Sequence, residues 1–167
     1  MIRRIAPIAV LALALVACGG DPEPTTVDVE TVDYAYVGLP ETLVAGSTIT
    51  ITNTSDTELH ELVALRLPDG EDRPAAEIVA DQEALVALFP SVEAVLIAPP
   101  GESGFAVEGT GVLDEPGRYL IICAIPTGAD PAEYLAAAQE SEGGPPDVPG
   151  GPPHFVQGMF GELTVEG

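Results

Sequence analysis

The sequence contains no lysine and no tryptophan, and all five of its basic residues are arginines. Aspartate and glutamate together number 27, so the 167-residue chain carries a formal charge of −22. A negative field of this size repels phosphate backbones, which argues against nucleic-acid binding and predicts that a protein partner presents a basic patch. A salt-rich habitat or a GC-rich genome would also produce an acidic, lysine-free surface.

Aromatic residues make up only 5% of the chain, while valine, isoleucine, leucine and alanine are abundant. This composition predicts an aliphatic core built on β-sheets. The length beyond the N-terminal segments suits one compact domain.

The N-terminus has the layout of a secretory signal. Arg3 and Arg4 precede an uncharged run over residues 5–16, and these 12 residues are fewer than the roughly 20 that a membrane-spanning helix needs. We therefore interpret residues 1–17 as a lipoprotein signal peptide, since the letters LVAC at 15–18 resemble a bacterial lipobox. The alternative is an ordinary signal peptide that happens to contain a cysteine.

This resemblance implies that Cys18 is lipidated and becomes the new N-terminus. Residues 18–26 are then a flexible tether, and residues 27–167 form the domain. Cleavage would leave three arginines against 27 acidic residues, a net charge of −24. The expected location is extracytoplasmic, as a membrane-anchored lipoprotein in the periplasm or at the cell surface.

Alternating apolar and polar residues predict several short strands. The strand segments lie at residues 26–37, 42–53, 58–67, 103–107, 117–125 and 158–165. Helical composition predicts helices at 74–89 and 132–142, and the letters GGPPDVPGGPP at 143–153 predict a loop. The expected fold is all-β, a Greek-key sandwich or barrel with a helical insertion.

Donor side chains that favour soft metals are scarce beyond the tether. They are His60, Cys123, His154 and Met159. The cysteine has no disulfide partner within the domain, which leaves burial, an intermolecular bridge, a reactive thiol or a metal thiolate as explanations. Two imidazoles, a thiolate and a weak axial thioether are the ligands of a blue-copper centre. Taken singly, each residue is equally compatible with an ordinary strand, loop or core position.

Two segments carry a family resemblance. The letters VETVDYAYVGLPETLVAGSTITITNTSDTELHELVAL and HFVQGMFGELTV resemble the opening and closing of plastocyanin-like and azurin-like cupredoxins. The resemblance implies a cupredoxin-like sandwich that binds copper through His60, Cys123, His154 and Met159. It also implies a one-electron carrier rather than an enzyme, with exported or membrane-bound redox proteins as partners. We expect this carrier to be monomeric and, from the lipobox, to be held to the membrane by a lipid anchor.

Two features depart from the family pattern. Thirty residues separate Cys123 from His154, where the family has only a few. The residue after the first histidine is Glu61, where the family often has an asparagine that ties the two ligand loops together. We expect Glu58 and Glu61 to belong to a solvated acidic face.

Two other functions remain open at this stage. A long insertion that left the metal exchangeable would suit copper storage or delivery, and a metal-free interaction domain could use the same scaffold. Serine-hydrolase, CxxC and phosphate-loop motifs are absent from the sequence, which argues against those chemistries.

Overall fold

The computed structural model describes residues 22–141 and 144–167. The predicted signal peptide, Cys18 and part of the tether lie outside the described residues, so their assignments stay predictions. No helix among the described residues is long and apolar enough to cross a membrane.

Ten strands occur within the described ranges, and their alternating sequences set their faces. They are β1 Thr26–Val32, β2 Ala35–Val37, β3 Thr42–Val44, β4 Ser47–Asn53, β5 His60–Arg66, β6 Val92–Ala98, β7 Phe105–Glu108, β8 Val112–Leu113, β9 Gly117–Ile122 and β10 Phe160–Glu166.

The strands form two mixed sheets. One has the order β2-β1-β4-β8, and the other has the order β3-β10-β9-β5-β6-β7. Strands β1 and β4 are parallel, as are β3 and β10, while the remaining pairs are antiparallel. A buried aliphatic cluster that includes Val29, Ile51, Leu62 and Ile121 fills the space between the sheets. The predicted all-β sandwich is confirmed.

Strand β5 lies in the middle of the six-stranded sheet and is buried on both faces. Leu62 and Ala64 face the other sheet, whereas Val63 and Leu65 face the helices on the outer side. Those helices are α1, Ala75–Ala80, and α2, Gln82–Leu88. Because they cover the outer face, β5 lacks the solvent-facing side that its alternation suggests.

The predicted helix at 74–89 is therefore present but broken into two. Asp81 has extended backbone angles, and its side chain accepts a hydrogen bond from the Ala84 backbone N–H. This residue ends α1 and caps α2, because an aspartate at this position satisfies an otherwise free amide. The second predicted helix is α3, Pro131–Glu140, capped by Asp130.

Strand β6 was not predicted. Its letters, VEAVLIA, form a nearly continuous apolar run, because the strand is largely buried between β5 and β7. Periodicity alone does not identify a fully buried strand of this kind. Strand β9 also ends at Ile122, three residues before the predicted end, which places Cys123 just beyond the strand.

Candidate metal centre

His60 and Cys123 lie at the same end of neighbouring strands. His60 is the first residue of β5, and Cys123 follows the last residue of β9, its antiparallel neighbour. His60 shares the inward parity of Leu62 on β5, and Cys123 shares that of Ile121 on β9. The Glu61 backbone N–H also donates a hydrogen bond to the Cys123 sulfur, at 3.4 Å. Strand pairing thus places the first imidazole beside the thiol.

The insertion, residues 124–153, is closed at its base. Pro126 and Pro153 form an isolated antiparallel β-bridge. The Thr127 N–H and hydroxyl both donate hydrogen bonds to the Pro152 carbonyl, at 3.1 and 2.7 Å. The chain therefore leaves the sheet and returns to it at neighbouring points, so 30 inserted residues do not separate the predicted ligands in space.

His154 begins a 3₁₀ turn, His154–Gln157, immediately after this closure. Its N–H donates to the Ile125 carbonyl at 3.0 Å, and the following N–H donates to the Cys123 carbonyl at 2.9 Å. The Met159 N–H then donates to the His154 carbonyl at 3.1 Å, and the Cys123 N–H donates to the Met159 carbonyl at 3.2 Å. Backbone bonds thus hold the returning loop against the end of β9.

Three of the four predicted ligands converge. The Nδ1 atoms of His60 and His154 are 3.2 Å apart, and His154 Nδ1 is 3.3 Å from the Cys123 sulfur. The donor atoms of all three residues lie within 4.8 Å of one another, and each residue has an exposed fraction of 0%. Two imidazole nitrogens that share one ion at about 2.0–2.1 Å are no more than about 4.2 Å apart. The observed spacing between the two histidines is compatible with a shared metal.

Met159 is also buried, with an exposed fraction of 0%, and belongs to the same apolar cluster as Cys123. The cluster includes Leu59, Ile97 and Ile125. The shared cluster and the backbone bond place Met159 beside Cys123. Its role as a weak axial ligand stays a prediction.

Burial shifts the titration of the three donors toward their neutral forms. It lowers the pKa of His60 to about 4, with a further lowering from His154, and it also lowers the pKa of His154. Burial raises the pKa of the Cys123 thiol, and the nearby Glu61 carboxylate adds to that effect. The imidazoles are therefore held neutral, as ligation requires, whereas the thiol must lose a proton when a metal binds.

Two acidic residues beside the cluster do not form the expected solvated face. Glu61 is only 3% exposed, and the prediction that it is solvated is wrong. Its carboxylate accepts hydrogen bonds from the Ala124 N–H at 2.9 Å and from the Tyr134 hydroxyl at 3.1 Å. Burial raises the pKa of Glu61 to about 7, and these two hydrogen bonds oppose the rise. Glu58 is half-buried, and its carboxylate lies 3.3 Å from His154 Nε2.

The tip of the β1–β2 hairpin covers the two histidines, a contact that the sequence did not reveal. The Tyr34 ring packs edge-on against the His154 ring with centroids 5.1 Å apart. Tyr34 has a φ of 62°, a left-handed conformation that is uncommon for a residue other than glycine. The sequence alternates on both sides of Asp33 and Tyr34, which could have indicated a two-residue turn at this place. Alternation does not indicate, however, which side chain such a turn would cover.

The donor set fits copper. One thiol and two imidazoles are the soft and borderline ligands of type 1 copper sites. The Nε2 atom of each imidazole also points away from the cluster toward a carboxylate, Glu58 for His154 and Asp33 for His60. Such outer partners are typical of metal-binding histidines.

Comparisons with known proteins gave matches among solved structures alone. No protein-family model and no curated protein matches the chain. The chain is similar to an auracyanin from Roseiflexus castenholzii in its dithionite-reduced form, at 22% identity and a TM-score of 0.49, covering 87% of this chain and 98% of that one. It is also similar to auracyanin B, at 21% identity and a TM-score of 0.46, covering 89% of this chain and 94% of that one.

A third similar structure is auracyanin A from Chloroflexus aurantiacus, described as a "blue" copper protein. Its identity to this chain is 21% and its TM-score is 0.46, and the match covers 86% of this chain and 100% of that one. The chain's own topology supports the assignment of its fold: two mixed sheets, with donors at the start of β5, after β9 and before β10. The two sheets and the short helices confirm the all-β sandwich with a helical insertion that the sequence predicts.

Proposed function

We propose that the chain is a cupredoxin that carries single electrons on a type 1 copper ion. The ligands would be His60, Cys123, His154 and, axially, Met159. The observation that carries this proposal is the buried His–Cys–His cluster, in which two pairs of donor atoms already lie 3.2 and 3.3 Å apart.

Copper in such a site exchanges one electron between Cu(II) and Cu(I). The protein's part is to hold the donors in one arrangement and to exclude water. Strand pairing fixes His60 and Cys123, and the backbone bonds of the returning loop fix His154. All three side chains are fully buried, so water is kept away from the donor atoms. This chemistry makes the chain a carrier and not an enzyme in its own right.

The closed insertion favours a carrier over a copper-delivery protein. Delivery requires a site from which the metal exchanges readily, and an insertion that opened the site would suit that function. Here the insertion is joined at its base by the bridge between Pro126 and Pro153. The insertion is also bound to β5, the strand that begins at His60, through the hydrogen bond between Tyr134 and Glu61.

The charge distribution supports a basic redox partner. Each of the three arginines in the described residues is paired with a carboxylate. The pairs are Arg66–Asp69, Arg73–Glu71 and Arg118–Glu162. The remaining acidic residues therefore dominate the field, which would attract a basic docking patch and weaken as salt is added. An exported or membrane-bound electron-transfer protein is the partner class that fits this field.

The proposal also includes a lipid anchor and a monomeric domain. A lipid on Cys18 would hold the domain at the extracytoplasmic face of a membrane, with residues 18–26 as the tether. The domain itself would act as a monomer. Lipidation is tested by mass spectrometry of the membrane-bound protein, in which Cys18→Ser should remove the lipid mass.

Copper loading tests the centre. Every described strand and helix lies within residues 22–167, so a soluble form beginning at residue 22 retains the whole sandwich and omits Cys18. Addition of Cu(II) should give one equivalent of bound copper and an intense thiolate-to-copper charge-transfer band. Cys123→Ser should abolish that band, while Ser47→Ala, at a buried position in β4 outside the centre, should retain it.

The outcomes separate the three functions. A colourless copper complex would contradict the electron carrier. Copper that is lost to a chelator during cycles of reduction and reoxidation would favour delivery or storage. Failure of the folded domain to take up copper would favour a metal-free interaction domain.

A further inference from the structure

The outer nitrogens of the two histidines differ in their surroundings. Both Nε2 atoms are buried and form no hydrogen bond among the described residues, but the carboxylates near them differ. His154 Nε2 lies 3.3 Å from the Glu58 carboxylate. His60 Nε2 lies 3.9 Å from the carboxylate of Asp33, whose side chain is 63% exposed. The Glu58 side chain is only 16% exposed. Water therefore competes far less for the Glu58 contact than for the Asp33 contact.

The Glu58 oxygen nearest His154 also binds the insertion. This atom, Oε2, accepts a hydrogen bond from the Gly128 backbone N–H at 3.0 Å. Gly128 has a φ of 70°, a left-handed conformation that glycine adopts without strain. One carboxylate oxygen thus contacts both the inserted segment and the histidine that follows it.

The backbone of Glu58 is fixed from both sides. Its N–H donates to the Ser55 hydroxyl at 3.0 Å, and its carbonyl accepts from the Asn53 side-chain amide at 2.8 Å. Asn53 is 1% exposed at the end of β4. The carboxylate is therefore presented from a rigid turn.

A carboxylate at this place selects one tautomer of the imidazole. A neutral imidazole has one N–H and one lone pair, and an ionised carboxylate only accepts hydrogen bonds. The electrostatic attraction of the Glu58 carboxylate, 3.3 Å from Nε2, therefore favours the proton of His154 on that nitrogen. The lone pair is then on Nδ1, which faces the Cys123 sulfur at 3.3 Å.

We propose that Glu58 is a positioning residue for His154: it holds the imidazole in the Nε2–H tautomer and joins that ligand to the insertion. Asp33 does not do the same for His60, because it is exposed and more distant. The consequence for copper rests on the proposed function, whereas the tautomer is a property of the metal-free protein. The two parts can therefore be tested separately.

The tautomer is tested by nitrogen NMR of the histidine side chains in the metal-free soluble form at neutral pH. In the wild type we expect His154 to carry its proton on Nε2. Glu58→Ala should move a measurable fraction of His154 to the Nδ1–H form. Glu58→Gln should retain the Nε2–H form, because the Gly128 N–H keeps the amide oxygen facing the histidine. Asp69→Ala is the control, because it removes an exposed carboxylate that pairs with Arg66 and does not touch the cluster, and it should leave His154 unchanged.

Copper binding gives the second readout. Glu58→Ala should weaken Cu(II) affinity about 10- to 100-fold, the usual effect of losing the outer partner of a metal-binding histidine. Glu58→Gln should weaken it less and should raise the reduction potential, because a negative charge that favours Cu(II) is removed. Asp69→Ala should reproduce neither the affinity loss nor the tautomer change.

Several results would overturn the inference. A wild-type His154 with its proton on Nδ1 would do so even if Glu58→Ala failed to fold. A folded Glu58→Ala protein with the wild-type tautomer and copper affinity would also do so. If the wild type bound no copper but the tautomer change in Glu58→Ala remained, the proposed function would fail and the positioning role would stand.

Discussion

The Glu61 carboxylate accepts the Ala124 backbone N–H at 2.9 Å, joining the strand that carries His60 to the residue after Cys123. The other carboxylate oxygen accepts the Tyr134 hydroxyl at 3.1 Å. The family resemblance assigns the linking of the two ligand loops to an asparagine at this position. Here a glutamate makes that link, and its longer side chain also reaches helix α3 of the insertion.

Replacing Glu61 should destabilise the fold. Glu61→Ala leaves the buried Ala124 N–H without its acceptor, which costs about 1–3 kcal/mol of the free energy of unfolding. Tyr134→Phe removes only the second hydrogen bond and should cost less, about 0.5–1.5 kcal/mol. Urea denaturation of the metal-free soluble form measures both.

Glu61→Gln is the matched control, because the amide oxygen can still accept the Ala124 N–H. We expect its stability to lie closer to the wild type than that of Glu61→Ala. Equal stability of Glu61→Ala and the wild type would contradict the bridging role.

Asn53 should be similarly important for the turn that precedes His60. Its side-chain amide donates to the carbonyls of Glu58 and Ala98, at 2.8 and 2.9 Å, and its oxygen accepts the Ser55 N–H at 2.9 Å. Asn53→Ala deprives three backbone groups of their partners in a buried place. We expect a loss of at least about 2 kcal/mol in the free energy of unfolding.

Thr50 offers a control on the same strand. Its hydroxyl donates to the Asp28 carboxylate at 2.7 Å, but this hydrogen bond lies on the exposed face of the sheet. Thr50→Ala should change the free energy of unfolding by no more than about 0.5 kcal/mol. If Asn53→Ala and Thr50→Ala gave the same denaturation profile, the larger role assigned to Asn53 would be refuted.

Local pattern was enough to predict much of the sandwich and the members of the cluster. Alternation places His60 at a strand start and Cys123 near a strand end, and strand ends bring such residues together at one edge of a sheet. Alternation failed for β6, which is largely buried and therefore has no regular polar face. The solvated position predicted for Glu61 on β5 was wrong for a related reason, since α1, α2 and the insertion cover this face of the strand from distant parts of the chain.

The contacts of the insertion could not be predicted from sequence. Proline and glycine predict a loop at residues 143–153, but they do not indicate where the loop returns to the sheet. The bridge between Pro126 and Pro153 and the contact of Glu58 with Gly128 depend on the tertiary position of the whole segment. These contacts decide whether the centre is open or closed.

Met159 should influence the copper potential more than the fold. Leucine has a similar volume, so Met159→Leu should cost less than about 1.5 kcal/mol of stability. Loss of a weak axial donor disfavours Cu(II) relative to Cu(I), so the reduction potential should rise. We expect a rise of about 59 mV or more, which is a tenfold change in a one-electron equilibrium.

Ile125→Val serves as the control, since Ile125 is buried in the same apolar cluster but has no donor atom. Potentials are measured by titration of the visible band. Equal potentials for Met159→Leu and Ile125→Val would exclude Met159 as an axial ligand.

Acid should weaken the attachment of the segment before α1 to the sheet. Arg118 on β9 donates to the backbone carbonyls of Glu71 and Arg73 and to the Glu162 carboxylate. The Arg73 guanidinium binds the Glu71 carboxylate with a shortest distance of 2.6 Å. Hydrogen bonds from Arg73 lower the pKa of Glu71 to about 2, and a hydrogen bond from the Ala75 N–H lowers that of Glu162.

A carboxylate whose pKa is lower in the folded state stabilises the fold above its unfolded pKa, and the effect disappears as the pH falls through the folded value. We therefore expect the wild type to exceed Glu71→Gln in stability by a constant amount above about pH 5, the region where the unfolded carboxylate is ionised. The difference should shrink steadily toward pH 2, the folded value for Glu71. Urea denaturation of the metal-free form at several pH values gives this difference, and protonation of the histidines affects both proteins alike.

Asp69→Asn is the control. The Asp69 side chain, which pairs with Arg66, is 92% exposed, and ion pairs this exposed contribute little to stability. A Glu71→Gln difference that did not change with pH would show that the ion pair with Arg73 is not formed in solution.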